Sequence, residues 1–274
     1  VHLFKRMLSQ IALLAIPGLI ICTLITALLS LSVLPWHWSL ASALMFGAIV
    51  SATDPVAVVS LLKEMCSRVR LQTLVEGESL LNDGTAIVLF TLFLTLASQV
   101  QPEFNTLAVI VEFVRVVAIG AAVGALVAAV SLVFIDSLFN DSLIEIALTL
   151  ALPYLVFHLS EHVFHASGVV SVVTLALLYA GPGRTRFSPE VMEHLRHFWH
   201  TLSFLFNNLI FILVGLVIST RLSLADLANW QYLAIIFAGI LMIRALVIIA
   251  LMPVLARIGI GLTREKAIVL TWGG

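Results

Sequence analysis

The chain has 274 residues, of which 61% are hydrophobic and 11% charged, and its formal net charge is −1. A soluble domain carries about 25% charged residues, so the composition excludes one and indicates a polytopic protein embedded in a lipid bilayer. A charge so near zero supplies no field for nucleic acid. The two cysteines, Cys22 and Cys66, lie in or at the ends of apolar segments about forty residues apart, a spacing that suggests neither a disulfide framework nor a metal site.

A membrane-spanning helix needs roughly 20 mostly apolar residues. Eight such segments are expected in chain order, at about 11–34, 39–62, 71–98, 106–135, 142–160, 167–181, 200–219 and 230–255, and a ninth begins near Lys266. The longest polar loop expected is 182–197, and no Gly/Ser-rich linker occurs, so 1–274 reads as a single transmembrane domain. The sequence starts at Val1 and stops at Gly274 just after an apolar run begins, and it reads as a fragment.

Loop charge supports that count. With the N-terminal end cytoplasmic, 11 of the 14 basic residues fall in inside loops, Arg221 falls outside, and Arg115 and Arg244 fall within the membrane. Cytoplasmic loops are enriched in Lys and Arg, and a missed or extra helix before the middle would scramble the asymmetry. Trp36, His37, Trp38 and Trp230 read as interfacial anchors.

The 39–62 segment contains Thr53-Asp54-Pro55 nearer its cytoplasmic end. Pro55 has no N–H and its ring clashes with the preceding turn, and Asp54 is pushed out of helical geometry. A broken helix that releases carbonyls near Ser51–Thr53 is therefore expected, tolerated at depth only where it lines a cavity or is buried in protein. In transporters such breaks bind the coupling ion. A plain proline kink with Asp54 paired to a polar neighbour is the alternative.

The 71–98 segment holds Glu76, Glu78, Ser79, Asn82 and Asp83. Glu78/Asn82 and Ser79/Asp83 are i,i+4 pairs, adjacent around a helix, so the four share one polar stripe. Ionisable residues at this depth are by default functional. Arg244, mid-segment in Leu241–Leu246, requires an acidic partner, and Glu78 is the first candidate; Arg115 has its own in Glu112 at i,i+3. Two carboxylates, a hydroxyl and a backbone carbonyl are hard oxygen ligands that suit a dehydrated monovalent cation. A carboxylate in a low-dielectric site also holds a proton more tightly. Competition between the two is exchange, which favours cation/proton antiport over a channel.

In 118–126, Gly120 and Gly124 give a small-xxx-small face, expected to serve packing within the chain rather than a dimer contact. His158-Leu159-Ser160-Glu161-His162 fits the H-x-x-E-H metalloprotease pattern, with both histidines at i,i+4. A zinc-dependent membrane peptidase is thus a remote alternative, set against plain polar residues at a helix end. His194, His197 and His200 lie at i,i+3,i+6 and read as interfacial residues, with a pH-sensing role as the alternative.

Two long motifs stand in order. Thr53-Asp54-Pro55-Val56-Ala57-Val58-Val59 followed by Glu76-Gly77-Glu78-Ser79-Leu80-Leu81-Asn82-Asp83-Gly84-Thr85-Ala86 resembles the sodium/proton exchangers of the monovalent cation:proton antiporter family, in their electroneutral Asn-Asp form. Phe206–Gly215, Arg244-Ala245-Leu246 and Leu270–Gly274 are similar to that family as well. The resemblance implies an all-α inverted-repeat antiporter fold with two crossing, interrupted helices, at 39–62 and after Lys266. It implies a secondary transporter rather than an enzyme, with no cofactor, exchanging Na⁺ (or Li⁺ or K⁺) for H⁺ by alternating access under pH regulation.

By the same resemblance Asp83 carries the ion and proton, and Asp54, Ser79 and the Thr53 carbonyl complete the monovalent cation site. Asn82 orders Asp54 or the broken helix, and Glu78 pairs with Arg244. A homodimer in the plasma or inner membrane is implied for the full-length protein. The family has further helices before this chain's start and continues with Leu-Arg-Gly after the two glycines. The N-terminal helices, half of the crossover and part of the dimer surface are thus expected to be missing, and the fragment is not expected to transport alone. A cation channel or uniporter with the same acidic lining is the main alternative function.

Overall fold

The computed structural model describes residues 2–35, 38–64, 69–98, 105–137, 142–185, 189–221, 227–258 and 264–272. Trp36, His37, Cys66, Arg68, Arg186, Gly273 and Gly274 lie outside them, and so does the break expected in the second interrupted helix. Helices α1 (His2–Leu13) and α2 (Leu19–Val33) join through a π-helical turn, Leu14–Gly18, to make one long span. Pro17 sits in that turn. Its missing N–H cannot close an ordinary i→i−4 bond, and an added residue in the turn accommodates the ring.

Then follow α3 (Leu40–Ser51), α4 (Val56–Glu64), α5 (Val69–Ala97), α6 (Thr106–Ser137) and α7 (Ser142–His158), which runs on as a π-turn to Val163. The last four helices are α8 (Gly168–Ala180), α9 (Pro189–Arg221), α10 (Leu227–Arg257) and α11 (Arg264–Trp272). The described residues contain no strand. Among the described residues six helices are long and apolar enough to cross a membrane, and two shorter apolar ones, Leu40–Ser51 and Gly168–Ala180, fall on the remaining expected segments.

The expected loop at 182–197 is corrected. A short 3₁₀ turn occupies Pro182–Thr185, and α9 already begins at Pro189. Proline is favoured at the first helical position, where its absent N–H is no loss. Val191 and Leu195, one turn apart, bury against Ile135 of α6. The charged and histidine residues between them occupy the other face of an amphipathic turn, which a window average of hydropathy reads as loop.

Two apolar cores surround α5. One gathers Met7 and Ile11 of α1, Leu71, Leu74 and Val75 of α5, Ile248 and Leu255 of α10, and Leu270 of α11. The other gathers Leu19 and Ala27 of α2, Ala43, Leu44 and Ala48 of α3, and Ala86, Leu89 and Phe93 of α5. A third cluster, Ala128, Leu152, Val156 and Leu175, joins α6, α7 and α8.

In lipid, association rests on close van der Waals packing and interhelical hydrogen bonds rather than on hydrophobic transfer. The contacts are correspondingly tight. A Cβ on Gly124 would stand 2.2 Å from the Ser171 carbonyl oxygen, and one on Gly120 2.7 Å from that of Ser167. The small-residue face of α6 therefore packs on α8 within the chain. Ser171 Oγ reinforces the seam by donating to the Gly120 carbonyl at 2.7 Å.

Candidate functional site

The helix break falls where the proline requires it. α3 ends at Ser51, Ala52 is extended (φ −66°, ψ 145°), and α4 resumes at Val56. Asp54 restarts the helix: its Oδ1 accepts from the Val56 N–H at 3.0 Å, the bond an N-cap makes to the second residue of a helix, with Pro55 between them. The Pro55 carbonyl then accepts the Val59 N–H at 2.8 Å. The bond Asp54 makes is thus to the backbone of its own restarted helix.

The polar stripe of α5 docks on this break. Ser79 Oγ donates to the Thr53 carbonyl at 2.5 Å. Asn82 Nδ2 donates to Thr53 Oγ1 at 3.0 Å. The contact Asn82 makes is with the broken helix. Thr53, Glu78, Ser79 and Asn82 are buried, at 5%, 3%, 3% and 2% exposure, whereas Asp54 and Asp83 are exposed. Buried groups fix the backbone around the break, and the two aspartates stay open. Asp83 lies within electrostatic reach of Asp54 and Glu78.

Arg244 meets Glu78 through Nη2, at 3.1 Å to Oε2 and 3.3 Å to Oε1. Its Nε and Nη2 also donate to the Leu270 carbonyl at 3.0 and 2.9 Å. Leu270 lies on α11. The guanidinium therefore joins α5, α10 and α11 in one buried node. Sequence reasoning found the carboxylate partner but not the carbonyl, because a main-chain acceptor leaves no residue-type signal.

The other polar motifs have local duties. Arg115 Nε and Nη2 bind Glu112 at 2.8 and 2.5 Å, and Nη2 also donates to the His165 carbonyl at 3.2 Å. In the H-x-x-E-H run the rings of His158 and His162 lie 4.6 Å apart, and Glu161 Oε1 accepts the Gly168 N–H at 2.9 Å, holding the start of α8. Among the described residues no three His, Cys, Asp or Glu side chains are arranged to hold a metal ion. His194, His197 and His200 are exposed on the first turns of α9.

Membrane-length helices, one broken at a proline, with carboxylates beside the break, are the build of a secondary ion transporter. Comparison with known proteins makes this particular. The description "Sodium/hydrogen exchanger, transmembrane" matches residues 1–274, and the chain belongs to that family. It is 39% identical over its whole length to sodium/hydrogen exchanger 7 of Arabidopsis thaliana, covering 24% of that protein. It is 34% identical over 98% of its length to the Na⁺/H⁺ antiporter ApNhaP of Aphanothece halophytica, covering 51% of that one.

The chain thus spans about a quarter to a half of these curated relatives. The solved sodium proton antiporter MjNhaP1 from Methanocaldococcus jannaschii superposes with a TM-score of 0.80 at 19% identity, over 98% of this chain and 63% of that one. The fold is therefore the NhaP antiporter fold, in an integral membrane protein that crosses the bilayer several times.

Proposed function

We propose that the full-length protein is a secondary antiporter that exchanges Na⁺ for H⁺ by alternating access, with Asp83 as the carrier. The observation that carries this reading is the division of the acidic set. Glu78 is committed to Arg244, whereas Asp83 and Asp54 remain exposed beside a break whose Thr53 is held by Ser79 at its carbonyl and by Asn82 at its hydroxyl. Family membership supports the same reaction.

Deprotonated Asp83, with Asp54, holds the cation through oxygen atoms, and the Thr53 carbonyl and Ser79 hydroxyl supply the neighbouring oxygens. Release to the far side leaves the carboxylate to take a proton, and the protonated carrier returns. Li⁺ and K⁺ suit the same ligands. The protein works as a homodimer in the cell membrane, with the N-terminal end of this segment cytoplasmic.

The test is proton flux in vesicles holding the reconstituted full-length protein, with Na⁺, Li⁺ and K⁺ supplied in turn. Asp83→Asn is expected to abolish cation-dependent proton movement. Wild-type flux in that variant refutes the assignment, and cation current without proton movement replaces the antiporter with a channel.

A further inference from the structure

Behind the broken helix lies a second polar site that the exchange scheme does not use. A cavity of about 20 Å³ opens between α2, α3, α5, α10 and α11, and its polar wall is Cys22, Ser51, Glu78, Asn82 and Arg244. Asp54, Ser79 and Asp83 are not part of it. Two polar atoms of its lining residues, Ser51 Oγ and Asn82 Oδ1, are buried and reach no partner among the described residues. Their residues are 7% and 2% exposed. Leaving one buried polar atom unsatisfied costs about 1–3 kcal/mol, so two such atoms on residues that line one small cavity require an explanation.

Size and chemistry select the occupant. About 10–15 Å³ on this measure admits one water, which needs two to four polar partners. Asn82 Oδ1 accepts only, Ser51 Oγ both donates and accepts, and the Glu78 carboxylate accepts. The Arg244 guanidinium in the same wall repels a cation and carries only donors. A water satisfies this set, donating to Asn82 Oδ1 and to Glu78 while exchanging a bond with the Ser51 hydroxyl.

We infer that a single ordered water occupies this cavity and that Ser51, acting through it, is a positioning residue for Asn82. The amide of Asn82 is then held at both ends. Nδ2 is on Thr53 Oγ1 at the break, and Oδ1 is on the water, which is anchored to the last residue of α3 and to the Glu78–Arg244 node. Ser51 before the break and Thr53 within it are thereby tied to each other through α5.

The positioning role rests on the exchange proposed above; the water does not. A structure of the full-length protein at a resolution that shows ordered solvent is expected to carry one density peak within hydrogen-bond distance of Ser51 Oγ and Asn82 Oδ1. A dry cavity there overturns the inference whatever the protein transports.

For the role, Ser51→Thr and Ser51→Val are compared in reconstituted vesicles, since they differ by one hydroxyl at nearly equal volume. Ser51→Thr is expected to keep the wild-type KM for Na⁺, and Ser51→Val to raise it about threefold to tenfold, the scale of one net hydrogen bond, with kcat little changed. Equal KM values for the pair refute the positioning role. If Ser51→Val does not fold, Ser51→Ala takes its place with the same expectation. Absence of Na⁺-coupled flux in the wild type strikes the exchange reading instead, and the density then decides the water alone.

Discussion

Glu78 and Arg244 form a buried ion pair across three helices. Its side chains are 5% and 12% exposed, and Nη2 sits 3.1 Å from Oε2. A buried pair contributes little net stability compared with apolar residues of the same shape, but removing one member strands the other charge, at about 3–5 kcal/mol. Glu78→Ala is therefore expected to lower the thermal unfolding midpoint strongly. Glu78→Ala with Arg244→Met is expected to recover much of the loss. A Glu78→Ala protein with the wild-type midpoint contradicts a structural role for the pair.

Much of this site was legible before any coordinates. Charge inside a membrane must be paired, and Pro55 must break its helix, so the break and the Glu78–Arg244 pair follow from residue type and depth alone. The Leu270 carbonyl and the cavity beneath Ser51 and Cys22 do not, because they arise where distant helices meet and no local pattern encodes that meeting.

At the scale of the element, helix–helix distance is the controlling quantity. The α6–α8 seam is closed by Gly120 and Gly124, and a Cβ on Gly124 would overlap the Ser171 carbonyl oxygen and approach its Cα within 3.0 Å. Those obstacles are main chain, so a larger residue must separate the helices rather than turn a side chain aside. Gly124→Val is expected to destabilise the protein by roughly 1–3 kcal/mol or more and to weaken the hydrogen bond from Ser171 Oγ to the Gly120 carbonyl. Thermal unfolding in detergent reads the first effect and amide exchange along α8 the second. An unchanged midpoint would mean that the seam is looser than its geometry indicates.

Element boundaries were legible unevenly. The gap between Ser51 and Val56 appears where Pro55 placed it, because proline acts through its own backbone. The start of α9 was missed because its first turns are amphipathic rather than apolar, and burial of Val191 and Leu195 on α6 stabilises them only in the folded bundle.

For the whole molecule, the number of crossings turns on α8. Its 13 helical residues span about 20 Å, short of a hydrocarbon core of about 30 Å. Yet its ends stand at different levels along α6. The Ser167 N–H donates to the Val116 carbonyl at 3.4 Å, whereas a Cβ on Gly183 would touch Leu132. α8 with its flanking turn therefore runs parallel to α6 over 16 residues of that helix, about 24 Å of rise.

With the N-terminal end cytoplasmic, as proposed, an α8 that turned back would put the basic residues at 184–196 and 257–266 on the outer side, against the positive-inside bias. Single cysteines placed at Phe164 and at Glu193, on either side of α8, test this in full-length protein lacking its native thiols. A membrane-impermeant maleimide applied outside intact cells is expected to label Phe164→Cys at once and Glu193→Cys only after permeabilisation. Labelling of both from outside removes the α8 crossing and inverts α9 and α10 in the bilayer. Arg244 and Glu78 would then belong to helices whose relative direction contradicts the fold shared with the solved antiporter.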